Sequence, residues 1–63
     1  MFTAAELVEE AERELRLRKR VYPNRVSTRR MTPAQAQRRL ALMEAIIAIL
    51  RSRLAEEDLF GRP

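Results

Sequence analysis

Apolar positions along this chain fall into two stripes with one spacing. Ala4, Val8, Ala11, Leu15, Arg18 and Tyr22 form the first, and Ala36, Leu40, Met43, Ile47, Leu50 and Leu54 the second. Steps of alternately four and three residues put each set on one side of a helix, so two amphipathic helices are predicted. Leu7 lies beside the first stripe. Arg18 is the charged member of that stripe, and an arginine stem can lie along apolar surface while its guanidinium reaches water. No stretch alternates apolar and polar residues as a half-buried strand would. The fold class is therefore all-α.

Thr3 followed by Glu6 makes a capping box, in which each side chain satisfies the other residue's free backbone N–H. Thr32-Pro33-Ala34-Gln35 is a second start signal, with an N-cap threonine, a proline at the first helical position and a glutamine to close the box. Met31 and Ala36 stand where a hydrophobic staple forms, and Gly61 marks a stop with Pro63 beyond it. The second helix thus covers about residues 33–59. The first begins at residue 4 and is disturbed by Tyr22-Pro23, because Pro23 has no N–H for the carbonyl four residues back. Either it ends near residue 21, or it continues with a kink to about residue 30. A helix over 33–59 is about 40 Å long and one over 4–21 only about 27 Å. The legs of a hairpin match if the first carries on past Pro23, and we prefer the kinked form. Glu9–Arg13, Glu12–Arg16 and Glu14–Arg18 are pairs of favourable order on this leg, each contributing about 0.2–0.5 kcal/mol.

The second helix has more apolar surface than one partner helix covers. Leu42, Ile46 and Ile49 form a second patch, displaced by roughly 100° or more from the main stripe. The segment 45–50 is apolar all round, the mark of a helix buried on more than one side. The architecture expected is a single domain over residues 1–63. It is an antiparallel helical hairpin, its first leg kinked or broken near Pro23, that associates as a four-helix-bundle dimer or a higher oligomer. The expected oligomer interface is Leu42, Ile46 and Ile49 together with Ile47 and Leu50.

Composition reinforces this. A chain of 63 residues is close to the size below which a core alone rarely suffices, and it contains neither Cys nor His. Disulfides and the usual zinc ligand sets are thereby removed, which leaves association as the remaining source of stability. The acidic N-terminal stretch lacks the order of a secretory signal. The longest apolar run, residues 40–50 with Glu44 inside it, falls short of the ~20 residues that span a membrane. A cytoplasmic protein is expected.

Charge adds a polarity. Residues 16–39 hold nine basic side chains and no acidic one: Arg16, Arg18, Lys19, Arg20, Arg25, Arg29, Arg30, Arg38 and Arg39. The net charge by region is −4 over residues 1–15, +9 over 16–39 and −1 over the remainder, which gives the overall +4. In a hairpin this makes a rod with a basic bend and an acidic open end, and such a field attracts phosphates or acidic partners.

Catalysis is not expected. Without His or Cys there is no conventional triad, thiolate or imidazole base, and Gly61, the only glycine, rules out a glycine-rich phosphate loop. No cofactor or metal is expected either. The leading functional reading is a small interaction or regulatory protein that assembles with itself and offers its basic patch to an acidic protein. The alternative is a nucleic-acid-binding protein using segment 16–39, against which stands the shortage of stacking aromatics.

The strings L-R-L-R-K-R-V-Y-P at 15–23, R-M-T-P-A-Q-A at 30–36 and M-E-A-I at 43–46 resemble a group of small uncharacterised proteins. That group belongs to proteobacteria and their phages or prophages. The resemblance covers roughly residues 6–50 and implies a mobile-element or accessory context, with no activity to carry over. In the group a glycine commonly precedes the basic-Met-Thr step. Here that position is Arg29, so a glycine-made stop to the first leg is missing.

Overall fold

The structure is a computed structural model that describes residues 1–60. Two helices form an antiparallel hairpin, α1 over Ala4–Ser27 and α2 over Pro33–Phe60, with no strand among the described residues. The molecule is a rod of 52 × 16 × 16 Å. No helix among the described residues is long and apolar enough to cross a membrane. The expected stop at Gly61 and Pro63 lies outside the described residues.

Thr3 caps α1, its hydroxyl oxygen accepting from the Glu6 N–H at 3.1 Å. The return half of the expected box does not form. The Glu6 carboxylate accepts from the Thr3 hydroxyl instead, at 3.3 Å. At α2 both halves are made: Gln35 N–H donates to Thr32 Oγ1 at 3.1 Å, and Thr32 N–H donates to Gln35 Oε1 at 3.0 Å.

Helix α1 runs through Pro23 for four further residues. Proline removes one backbone donor, that for the Lys19 carbonyl, and the flanking packing outweighs this loss. Tyr22 is buried and lines the same groove as Ala36 and Leu40 of α2. The helix then stops in a Schellman motif. Arg29 N–H donates to the Val26 carbonyl at 3.1 Å, and Arg30 N–H to the Arg25 carbonyl at 2.9 Å. Arg29 sits at φ 61°, the left-handed conformation that a glycine takes without strain. A tight stop therefore forms without the glycine.

The core is the seam between the stripes. Ala4, Val8, Ala11 and Tyr22 of α1 and Ala36, Met43 and Ile47 of α2 are buried, while Leu15, Leu40, Leu50 and Leu54 are half-buried. Ala11, Met43 and Ile47 form its centre, with Leu15 and Leu50 packed against them. Among the described residues three of the seven buried ones are alanines, and no side chain is fully enclosed. The seam is thin.

Candidate functional site

Antiparallel packing of unequal charge blocks gives the rod two different ends. The loop over residues 28–32 joins the helices at the basic end. At the other end the N-terminal half of α1, with Glu6, Glu9 and Glu10, lies beside the last turns of α2, with Glu56 and Glu57. The bend is built by local hydrogen bonds. Ser27 Oγ donates to the Asn24 carbonyl at 3.0 Å, Thr28 Oγ1 donates to the same carbonyl at 2.9 Å, and Met31 N–H joins Arg30 on the Arg25 carbonyl. These bonds fix the last turn of α1 and the direction in which Arg29 and Arg30 leave it.

Eight of the nine basic residues expected at the patch are exposed: Arg16, Lys19, Arg20, Arg25, Arg29, Arg30, Arg38 and Arg39. None of these eight closes an ion pair among the described residues. The Arg25 guanidinium lies over the Tyr22 ring, 6.0 Å from its centroid. Arg18 is the exception. It is half-buried, its Nε donates to Glu14 Oε2 at 2.8 Å, and its Nη1 donates across the seam to the Arg39 carbonyl at 3.3 Å. Arg18 therefore pins the hairpin and is withdrawn from the patch. Of the intrahelical pairs, Glu14–Arg18 forms, whereas Glu12 turns across the seam to Arg51.

A groove of about 490 Å³ opens beside this charge, lined by Tyr22, Pro23 and Val26 from α1 and Pro33, Ala36 and Leu40 from α2, with Lys19 on its edge. Sequence reasoning missed it. Neither helix alone announces it, because it forms only where the two meet, with Pro23 and Pro33 among its walls. A smaller depression of about 340 Å³ lies near the acidic end, lined by Phe2, Glu6, Leu7, Glu9, Glu10 and Arg13. Among the described residues no cluster of three metal-ligating side chains forms.

The expected oligomer interface divides in two. Ile47 is the most covered of the described residues, at 5% exposure, and Leu50 packs against the same cluster. Both belong to the seam within one hairpin, where their positions in the second stripe put them, and Leu42, Ile46 and Ile49 are the part of the expected interface that stands outside it. Leu42, Ile46 and Ile49 are exposed, Ile49 to 66%. Leu7 and Leu17 of α1 are also exposed. Helical projection puts all five on the side of the hairpin where Arg18 reaches Arg39, opposite the side closed by Glu12 and Arg51. The apolar face thus continues onto α1. Leu17 escaped the sequence reading, although Leu7, Glu10, Glu14, Leu17 and Val21 repeat with the same three-and-four spacing.

Comparison with protein-family models, with curated proteins and with solved structures finds no match for this chain.

Proposed function

We propose that this chain is a non-enzymatic interaction protein of the cytoplasm, an oligomer of helical hairpins that presents its basic bends to an acidic protein. The observation that carries the reading is the set of exposed arginines around the bend, without ion-pair partners among the described residues, beside an apolar groove. Charge of one sign concentrated at one end steers an oppositely charged partner, and the groove adds apolar contact that a purely electrostatic encounter lacks. Self-association is supported by the row of exposed Leu and Ile on one side of a hairpin whose own seam is thin.

Nucleic acid is the rival occupant of the basic end. Tyr22, the one aromatic residue of segment 16–39, is only 6% exposed and covered by its own chain, so it offers no face on which a base could stack. That weighs for a protein. The test is a pull-down with the intact chain after nuclease treatment, repeated with Arg29→Gln/Arg30→Gln. A partner that survives nuclease and is lost with the two arginines supports the reading. Capture that vanishes with nuclease, or a raised 260/280 absorbance ratio in the purified protein, overturns it in favour of nucleic acid.

A further inference from the structure

The exposed face of α2 carries a second heptad-type register beside the hairpin seam. Gln35, Arg39, Leu42, Ile46, Ile49, Arg53 and Glu56 recur in steps of four and three, roughly 110° around the helix from the first stripe. Every one of these residues is exposed in the single hairpin. The centre of the row is apolar and its flanks are charged, with Arg39 toward the bend and Glu56 toward the acidic end.

We propose that this row is the interface with a second copy of the chain, and that the two α2 helices pack antiparallel with Ile46 of each facing Ile49 of the other. This rests on the oligomeric reading above and assigns its partner, direction and register. The charge pattern selects the direction. In a parallel pairing like residues meet, so Arg39 faces Arg39, Arg53 faces Arg53 and Glu56 faces Glu56, all repulsive. In the antiparallel register Arg39 of each copy faces Glu56 of the other, and the aliphatic stem of Arg53 covers Leu42. A packing of α2 on the other copy's α1, with both bends at one end, would bring two arginine-rich bends together. The chosen register also overlaps the helices along almost their whole length.

The area agrees. The chain exposes 5485 Å². Scaling for a compact monomer of 7.4 kDa gives about 4200 Å², an excess on the order of 1300 Å². A standard interface takes about 800 Å² from each partner, which this excess accommodates. The dimer would place its two basic bends at opposite ends, about 50 Å apart at 1.5 Å per residue. A partner would then meet two separate basic ends, and binding both would raise the apparent affinity without any new contact.

Cross-linking tests the register, helped by a sequence free of native cysteine. Arg39→Cys and Glu56→Cys are made as separate chains, checked for helicity, and oxidised alone and mixed. On the same level of an antiparallel pair the two new thiols come within disulfide reach, whereas two copies of either variant hold theirs about 25 Å apart. The expected result is a reducible covalent dimer from the mixture and little from either variant alone. Efficient cross-linking of Arg39→Cys by itself would overturn the antiparallel arrangement. A mixture that does not cross-link, while the unaltered chain sediments as a dimer, would overturn this register and leave self-association standing. A folded monomer in sedimentation would remove both.

Discussion

Arg29 holds a conformation that suits its side chain poorly. At φ 61° the Cβ of an L-residue crowds the following carbonyl, which costs roughly 1–2 kcal/mol and which glycine avoids. The surrounding bonds keep it there, since Arg29 and Arg30 satisfy two carbonyls of the last turn of α1. Arg29→Gly should therefore stabilise the fold by about 0.5–1 kcal/mol after the greater freedom of glycine in the unfolded chain is counted, a rise of several degrees in Tm. Thermal melts followed by circular dichroism at matched protein concentration would show it. An unchanged or lowered Tm would mean that the left-handed turn is not under strain. The same substitution removes one charge of the basic end, so it should strengthen the fold while weakening partner binding. Arg18 makes the opposite case. Its guanidinium bridges Glu14 and the Arg39 carbonyl, so Arg18→Ala should lower Tm and leave partner binding at the bend little changed.

Neighbouring isoleucines of α2 play different parts. Ile47 is buried between Ala11 and Met43, while Ile46 stands 46% exposed one position away. Ile47→Ala should cost about 2–5 kcal/mol, and Ile47→Asp should abolish the helical signal by placing an unpaired charge in the seam. Ile46→Asp should weaken association, so that the chain is helical at high concentration and loses its helical signal on dilution sooner than the unaltered chain. Circular dichroism and sedimentation on both variants separate these outcomes, and equal loss of helicity in both would contradict the two-face description. Much of this was legible beforehand. Every apolar member of both stripes is buried or half-buried, because a three-and-four spacing leaves little choice of face. The capping box at Thr32 and Gln35 also formed as expected. The course past Pro23 was harder to read, since local proline chemistry disfavours helix there, whereas the matching of leg lengths and the burial of Tyr22 favour it. The segment 45–50 was harder to divide, because a run apolar all round the helix does not say which residues a second neighbour covers. The groove at the bend is a product of two helices meeting and has no signature in either alone.

The whole molecule is a charge-polarised rod whose apolar surface exceeds what two helices can hide. Its basic end should bind an acidic partner with an affinity that falls as salt rises, because exposed charges are screened within ~8 Å at physiological ionic strength. Arg29→Gln and Arg30→Gln should each flatten that dependence, and Glu9→Gln, toward the acidic end, should leave it unchanged. Titration at several salt concentrations reads this directly, and binding indifferent to salt would mean that the arginines are bystanders. If the target were duplex nucleic acid, engaging five or six phosphates would give a slope of log affinity against log salt of about −4 to −5. The proposed assembly decides how many such basic ends a partner meets. Sedimentation equilibrium of the unaltered chain at micromolar concentration, with helicity followed on dilution, tests that assembly most directly. The account predicts at least twice the chain mass and a helical signal that falls as the oligomer dissociates; a stable, fully helical monomer would contradict it.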